Sequence, residues 1–340
     1  MRRLPILATA LLVSASGVRA DVPNIVVDIP PVFSLVSSVM QGVGTPKLLL
    51  RGNESPHNFA LRPSQRRDLG QADIIFWIGE GLTPWLEKAQ ASLTQTPISV
   101  ALGEQTGVVQ LSFREGAFFD ENDEHDEHDG HDEVNGHTEH NHAETHENAA
   151  AHDGKDHQDH AGHDHSGLDP HFWLDPENAI HWIYTIADIL SQTDPENAGA
   201  YYANATRTKA SLELLNKNIA QQLAPHRAER FLIVHDAFQY FEARFGLAAQ
   251  GAISDGHAAP PSAARILAIR KLMQNQKISC VFAEPGYNAK LLDNLISETS
   301  VRLKQLDPLG AGLPLDHTLY EAVLQNMADM MVACFTNNEG

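Results

Sequence analysis

The sequence predicts an α/β protein of two lobes, each with a mainly parallel sheet flanked by helices, joined by one long rigid helix. Short apolar segments of strand length alternate with segments of helical spacing in both halves of the chain, which is the pattern of parallel sheets. Residues 195–223 lie between the halves and carry apolar side chains at helical spacing. A helix of that length would extend about 40 Å, enough to join two lobes.

The first lobe is predicted over residues 21–194. Its strands are predicted at the apolar runs Asn24–Ile29, Lys47–Leu50, Ile74–Ile78 and Ile98–Val100. Its helices are predicted at Val32–Val39, from Pro63 onward, at Pro84–Ser92 and at Glu177–Leu190. Two of these helices begin with proline, which suits the first helical turn.

The linking helix is predicted over residues 195–224 and the second lobe over residues 225–340. Thr193 and Asp194 are suitable capping residues before the linking helix, and Pro225 ends it. The second lobe has predicted strands at Phe231–Val234, Cys280–Ala283 and Val301–Leu306. Its predicted helices are Ala237–Phe245, 261–274, Lys290–Thr299 and His317–Phe335. The 340 residues, 42% of them hydrophobic, suffice for two such cores.

Residues 1–20 are predicted to be a cleaved secretory signal peptide. Two arginines precede an apolar run from Leu4 to Val13, and small residues lead to Ala20, which is the order of such signals. The apolar run is too short to span a bilayer. We therefore expect an exported protein without a membrane anchor.

A flexible acidic insertion is predicted at residues 120–166. Residues 120–165 contain sixteen acidic residues against Lys155 alone, a net charge of −15 out of −20 for the whole chain. The segment has no hydrophobic period, so it has no core around which to fold. With the acidity concentrated here and no basic face elsewhere, the sequence does not support nucleic-acid binding.

The same insertion holds 12 of the 19 histidines. Neutral imidazoles add no charge near pH 7, so a purely solvating acidic linker, the alternative interpretation, does not account for them. We predict auxiliary weak metal sites here, since closely spaced imidazoles chelate borderline metals and acidic neighbours attract cations. The residues are His125, His128, His131, His137, His140, His142, His146, His152, His157, His160, His163 and His165.

The two cysteines, Cys280 and Cys334, are predicted to form a disulfide. An even number of cysteines in an exported chain favours a bridge, whereas two buried free thiols are the alternative. The bridge would close a loop of 55 residues and stabilise the fold by about 4 kcal/mol on the loop-entropy model.

Seven histidines lie outside the insertion, and three of them share a position that suits a metal site. His57, His171 and His235 each lie in a loop or at the end of a predicted strand, beside Pro or Asp. In open α/β sheets, ligands bind outside the carboxyl ends of the strands. His171 stands between two Asp-Pro pairs, and proline restricts the backbone on both sides of it. The remaining four are assigned to surface or packing positions: His181, His226, His257 and His317.

Asp307 is the predicted fourth ligand, because it directly follows the last predicted strand. Three imidazoles and one carboxylate suit Zn(II), which takes four such ligands in tetrahedral geometry. His57 and His171 would come from the first lobe, and His235 and Asp307 from the second. Two alternatives stay open: Asp-Pro is a common turn opener, and Glu284, at the end of another strand, is a rival carboxylate or a hydrogen-bond partner of a ligand.

These residues lie in segments that resemble the metal-binding proteins of bacterial ABC importers, most closely the zinc-specific ZnuA type. The resemblance covers nearly all of the predicted mature chain. The segments are S-P-H-N-F-A-L-R-P-S at 55–64, W-I-G-E-G-L at 77–82, D-P-H-F-W-L-D-P at 169–176, H-D-A-F-Q-Y-F at 235–241 and L-D-P-L-G at 306–310. The resemblance implies His57, His171 and His235 as ligands. Some relatives have Glu where this chain has Pro56, which leaves Asp307 or a water for the fourth position.

The resemblance further implies a periplasmic solute-binding protein that captures Zn(II) in the cleft between the lobes. It would deliver this transported ion to an inner-membrane ABC permease with its ATPase, and a periplasmic zinc chaperone is a further expected partner. On this interpretation the chain is a monomer and not an enzyme. The paired cysteines and the histidine-rich insertion are similar to those of members of this group.

Two alternative functions use the same residues. A manganese or iron carrier would share the scaffold, although three imidazoles and the insertion favour zinc over oxygen-preferring ions. An exported zinc hydrolase would need an open coordination position and a general base, for which Glu284 is the candidate. The H-E-x-x-H motif of zinc proteases is absent, because His146-Glu147 is not followed by histidine at the required spacing.

Overall fold

The computed structural model describes residues 22–51, 54–114, 116–119, 167–297 and 299–337. Within these ranges, eight strands form two parallel four-stranded sheets flanked by helices, which confirms the predicted fold class. The predicted signal peptide and the whole of the predicted insertion, residues 120–166, lie outside the described residues.

The first sheet is built from β1 (Ile25–Val27), β2 (Lys47–Leu48), β3 (Ile74–Trp77) and β4 (Ile98–Ala101). Its order is β2-β1-β3-β4, and every pair of neighbours is parallel. All residues of the central strands β1 and β3 are buried, as expected for strands covered on both faces. β2 lies on one side of β1 and β3 on the other, so the strand order reverses at β1. Open α/β sheets bind ligands at the carboxyl ends of strands beside such a reversal.

The helices of this half are α1 (Pro30–Val39), α2 (Pro63–Gly70), α3 (Pro84–Gln90) and α4 (Pro176–Thr193). All four begin with proline, whose fixed φ suits the first turn and whose missing N–H is not needed there. The carboxylate of Asp175 accepts the backbone N–H of Glu177 at 2.9 Å and so caps α4.

The long helix between the two halves is α5 (Ala198–Leu223), with 26 residues. It begins three residues later than predicted, because Pro195–Asn197 form a 3-10 turn ahead of it. At 1.5 Å per residue the helix is about 39 Å long, which agrees with the predicted length.

The second sheet has β5 (Phe231–His235), β6 (Ala252–Ser254), β7 (Cys280–Ala283) and β8 (Arg302–Gln305), in the parallel order β6-β5-β7-β8. Its helices are α6 (Gln239–Phe245), α7 (Ala263–Asn275), α8 (Ala289–Ile296) and α9 (Leu319–Phe335). The strand β6 was not predicted, because it has only three residues and no apolar run.

One continuous apolar core joins the two sheets. It runs from Phe76 on β3 through Trp182 on α4 and Leu212 on α5 to Phe231 on β5 and Met331 on α9, all of them buried. Smaller clusters cover the outer faces of the two sheets. Because helices from both halves share the central cluster, the lobes pack against each other directly instead of meeting only through α5.

A crossing segment, residues 109–114 and 116–119, connects the halves a second time. The amide of Val109 donates to the side chain of Asn178 on α4 at 2.7 Å. Farther along, Phe118 forms an antiparallel bridge with Gly251 at the edge of the second sheet. Between these points the guanidinium of Arg114 forms ion pairs with Asp236 and Glu242. The segment therefore ties α4 to the second lobe beside the end of β5.

Cys280 and Cys334 form a disulfide, as predicted, which joins β7 to α9. Within the described ranges, the structure contains no helix with the length and apolar character needed to cross a membrane.

Candidate metal centre

The structure brings His57, His171 and His235 together between the two sheets. One nitrogen from each ring lies within 4.8 Å of the others, and the ring centroids are 5.1 to 5.6 Å apart. Among the residues that the structure describes, this is the one group of His, Cys, Asp or Glu side chains so arranged. The rings line a cavity of about 350 Å³, together with Glu284 and Asp307. Three ligands from distant parts of the chain can therefore contact a single ion.

His57 is positioned by the loop that follows β2. The loop is closed on itself by an ion pair of 2.6 Å between Arg62 and Glu54. It is also held from outside, because the indole N–H of Trp85 donates to the carbonyl of Pro56 at 2.7 Å. The side-chain Nε2 of His57 is buried and has no hydrogen-bond partner within the described residues. This nitrogen is therefore available to a metal ion.

His171 lies between the crossing segment and α4, and it is only 2% exposed. Oδ1 of Asp169 accepts its backbone N–H at 3.0 Å and lies 2.7 Å from Nδ1 of its ring. The neighbouring indole of Trp173 donates to the carbonyl of Pro308 in the second lobe at 2.8 Å. A carboxylate on Nδ1 orients the ring and leaves Nε2 for a metal.

His235 is the last residue of β5 and is 4% exposed. Its Nδ1 lies 3.0 Å from Oε1 of Glu284, which directly follows β7, and its Nε2 lies 3.2 Å from the carbonyl of Gly256. Both nitrogens therefore face acceptors. A metal ion that binds one of them replaces one of these two contacts.

The three rings differ in charge because their neighbours differ. Burial lowers the pKa of His57 and of His171 well below the ordinary value, and the positive field of neighbouring histidines lowers both further. Burial also lowers the pKa of His235, but the carboxylate of Glu284 and the carbonyl of Gly256 outweigh it and raise this pKa to about 9. Burial raises the pKa of Glu284, but the His235 ring outweighs it and holds this pKa below its usual value. Without a metal, two neutral rings stand beside one ion pair.

Asp307 lines the same cavity, but its carboxylate points to the backbone of its own turn. Oδ1 accepts the N–H of Leu309 at 3.0 Å and of Gly310 at 2.8 Å, and Oδ2 accepts the N–H of Ala311 at 2.6 Å. An ionised carboxylate has about four acceptor positions. Three of them are used here, so the predicted fourth ligand is also the residue that shapes this turn.

The other predicted metal-binding residues, the twelve histidines from His125 to His165, lie outside the described residues. Of the remaining histidines, His257 directly follows Gly256, whose carbonyl faces His235, and its ring packs on Phe113 at 4.5 Å between centroids. The roles of Asp169, Trp85 and Gly256 were not predicted from the sequence. Asp169 stands two residues before His171, and this spacing is the one signal that could have revealed it.

Comparison with known protein families matches residues 25–334 to the family described as ZnuA, zinc-uptake complex component A, periplasmic. The chain belongs to the ZnuA family. A high-affinity zinc uptake system protein ZnuA of Paracoccus denitrificans is 42% identical over 330 residues, with 97% of each chain covered. The protein of the same name from Brucella suis biovar 1 is 40% identical over 332 residues, again with 97% of each chain covered.

Solved structures show the same fold. A zinc-bound deletion mutant of a ZnuA superposes with a TM-score of 0.69 and 23% identity, over 92% of this chain and 98% of that one. At this identity the likeness concerns the fold alone: two parallel sheets flanked by helices. The recognition of the ZnuA type from sequence segments is thereby confirmed.

Proposed function

We propose that this ZnuA family member is a periplasmic solute-binding protein that captures Zn(II) between its lobes and delivers it to an inner-membrane ABC permease with its ATPase. The observation that carries the proposal is the convergence of three imidazole nitrogens within 4.8 Å. The names of the relatives, which are high-affinity zinc uptake system proteins, support zinc as the ion.

The donor set favours zinc on chemical grounds. Imidazole suits zinc, whereas manganese prefers carboxylate, carbonyl and water oxygens. In a tetrahedral site with bonds of 2.0–2.1 Å, the nitrogens of neighbouring imidazoles are about 3.3 Å apart. A bound zinc ion would draw the nitrogens of His57, His171 and His235, now within 4.8 Å of one another, to about this spacing. A manganese or iron carrier on this scaffold is the alternative, and competition dialysis with the three ions distinguishes them.

The fourth coordination position of the zinc ion is proposed to be occupied by a carboxylate of the second lobe. Asp307 has about one acceptor position left after its three backbone contacts. Glu284 already lies 3.0 Å from His235, and its carboxylate is not surrounded by backbone N–H groups of its own turn as that of Asp307 is. A water is the remaining option, and a hydrolase would require one, since zinc hydrolysis uses a metal-bound water. Four protein ligands close the site, so the proposal is transport and not catalysis, and counting metal-bound waters separates the two.

The histidine-rich insertion is proposed to collect zinc weakly near the tight site. Its twelve imidazoles and sixteen acidic residues would raise the local concentration of cations. Handover from a periplasmic zinc chaperone and action as a monomer belong to the same proposal. A protein lacking residues 120–166 would keep one tight zinc site and lose the weak ones.

The test is calorimetric titration of zinc into the wild type and a His57→Ala/His171→Ala/His235→Ala variant. The triple variant is expected to lose the tightest site and to keep the weak binding of the insertion. His181→Ala is a matched control, because it removes an exposed imidazole outside the cluster. The proposal fails if the triple variant keeps the tightest site.

A further inference from the structure

Two of the three clustered histidines are held by acceptors on their rings, and the third is not. Asp169 lies on Nδ1 of His171 at 2.7 Å, and Glu284 lies on Nδ1 of His235 at 3.0 Å. For His57, Nε2 has no hydrogen-bond partner within the residues that the structure describes. The position of this ring therefore depends on the backbone that carries it.

Among the described residues, Trp85 is the side chain from another element that holds the backbone next to His57. Its indole N–H donates to the carbonyl of Pro56 at 2.7 Å. Its ring also packs against Phe59, with the centroids 5.0 Å apart. Trp85 thus contacts the loop on both sides of His57, at the residue before it and two residues after it.

The hydrogen bond to Pro56 acts directly on the position of the histidine. The carbonyl of Pro56 and the nitrogen of His57 belong to one planar peptide group. The ring of Pro56 restricts its φ, and the bond to its carbonyl fixes how the following peptide plane is turned. Together these constraints place the Cα atom of His57 and leave mainly the side-chain torsions to adjust.

Trp85 is itself well placed to act as an anchor. It is the second residue of α3, next to Leu86, which is fully buried in the core on the outer face of the first sheet. An anchor of this kind reduces the conformational freedom that the loop would lose when the metal binds, which is the general basis of preorganisation. Without it, the Pro56 carbonyl would turn to solvent and His57 would sample positions away from the other two rings.

We infer that Trp85 is a positioning residue for zinc binding, which holds His57 in place through the Pro56 carbonyl. The inference rests on the proposed function, because it names a residue that supports the same site. Trp85 is not among the residues that line the cavity shared by the three rings.

The experiment uses Trp85→Phe, which keeps an aromatic ring against Phe59 and removes the indole N–H. Trp77→Phe is the matched control, because the indole of Trp77 donates to the hydroxyl of Ser99 at 3.0 Å in the same lobe and away from the cavity. Zinc affinity is measured on the full chain by competition with a chromophoric chelator. We expect Trp85→Phe to weaken the tightest site by roughly tenfold, as for loss of one hydrogen bond, and Trp77→Phe to leave it unchanged.

A double-mutant cycle with His57→Ala separates positioning from a general effect on folding. In the His57→Ala background, Trp85→Phe should no longer change the zinc affinity, because the ring that it positions is gone. The d–d absorption of bound Co(II) provides a second readout, and its band positions should shift in Trp85→Phe but not in Trp77→Phe.

Three outcomes are distinguishable. If the wild type and Trp77→Phe bind zinc tightly and Trp85→Phe binds it equally tightly, the inference about Trp85 is wrong and the proposed function stands. If Trp85→Phe lowers affinity by the same factor with and without His57, its effect does not pass through His57 and the inference is also wrong. If the wild type shows no tight zinc site, the proposed function itself fails.

Discussion

Asp169 and His171 are joined twice: one carboxylate oxygen accepts the backbone N–H of His171 at 3.0 Å and lies 2.7 Å from Nδ1 of its ring. Asp169 is 1% exposed. The same residue connects the lobes, because its backbone carbonyl accepts the hydroxyl of Tyr240 at 2.9 Å. The orientation of one clustered ring and the contact between the lobes therefore depend on one short stretch of chain.

Replacement of this carboxylate should weaken the metal site. We expect Asp169→Ala to lower the affinity of the tightest zinc site by about 10- to 100-fold, the usual effect of losing the acceptor behind a histidine ligand. Chelator competition measures it. Asp68→Ala, which removes only a surface ion pair with Lys47, is the control and should leave the affinity unchanged. Equal affinities for the wild type and Asp169→Ala would contradict the role assigned to this residue.

The two carboxylates of the second lobe can be separated by amide substitutions. Glu284→Gln removes the charge that faces His235 at 3.0 Å, so it should lower zinc affinity. Asp307→Asn puts an N–H donor into a turn where three backbone N–H groups point at the carboxylate, so it should mainly lower the free energy of unfolding. Zinc titration of both variants compares their affinities for the metal, and denaturant unfolding compares their free energies of unfolding. If Asp307→Asn lost more zinc affinity than Glu284→Gln, the result would instead support Asp307 as the fourth ligand.

Most of the fold could be predicted from the local pattern of apolar residues and prolines in the sequence. The buried strands β1, β3 and β5 are apolar runs, and all four helices of the first half begin at a proline that the sequence shows directly. The strand β6 was missed because Ala252–Ser254 are three residues without an apolar run, and only pairing with β5 makes them a strand. The shared core between the sheets could not be predicted from local pattern either, since it depends on how helices from both halves pack together.

The residues of the candidate site also fall into two groups, those that the local sequence pattern predicts and those that depend on packing. His57, His171 and His235 could be selected because they lie in loops or at strand ends beside Pro or Asp, which is a local property. Glu284 was named from the sequence as an alternative hydrogen-bond partner of a ligand, and it lies 3.0 Å from His235. Gly256 could not be selected, because its carbonyl reaches His235 only through the packing of neighbouring chain segments. Likewise, the three amides that surround Asp307 follow from the conformation of its turn and not from its residue type.

The ion pairs of Arg114 should matter for stability. Its side chain is 16% exposed, and those of Asp236 and Glu242 are 3% exposed each. Arg114→Met leaves two buried carboxylates without their cation, so we expect it to lower the free energy of unfolding by about 3 kcal/mol. Denaturant unfolding measures this change.

Lys209→Met is the control for Arg114→Met, because it removes a solvent-exposed pair with Glu213 on α5. Exposed pairs of this kind stabilise little, so the control should unfold at the same denaturant concentration as the wild type. If both substitutions have equally small effects, the crossing segment does not hold the lobes together through Arg114.

Asp28 should make stability depend on pH. Burial raises its pKa from 3.8 to about 7, although the N–H groups of Ile78 and Ile29 lower it in part. The pKa of Asp28 in the folded state is higher than its ordinary value, so the folded protein holds this proton more tightly than the unfolded chain. The stability that the bound proton contributes is therefore complete below pH 3.8 and is lost as pH rises towards 7. Asp28→Asn does not titrate, so it isolates this contribution from those of all other groups.

The measured quantity is the difference in unfolding free energy between the wild type and Asp28→Asn in metal-free buffer. Between pH 5 and pH 8 the wild type should lose about 2–3 kcal/mol of unfolding free energy relative to Asp28→Asn. A difference that is constant with pH would show that Asp28 has an ordinary pKa in the folded protein.

The disulfide between Cys280 and Cys334 should stabilise the second lobe without contributing to metal binding. It links β7 to α9 across a sequence separation of 54 residues, which corresponds to about 4 kcal/mol on the loop-entropy model. Glu284 follows β7 directly, but the hydrogen-bonded pairing of β7 with β5 and β8 remains when the bridge is removed. We therefore expect Cys280→Ala/Cys334→Ala to unfold at a lower denaturant concentration and to bind zinc as tightly as the wild type. A weaker tight site in the folded variant would show that the bridge also positions Glu284.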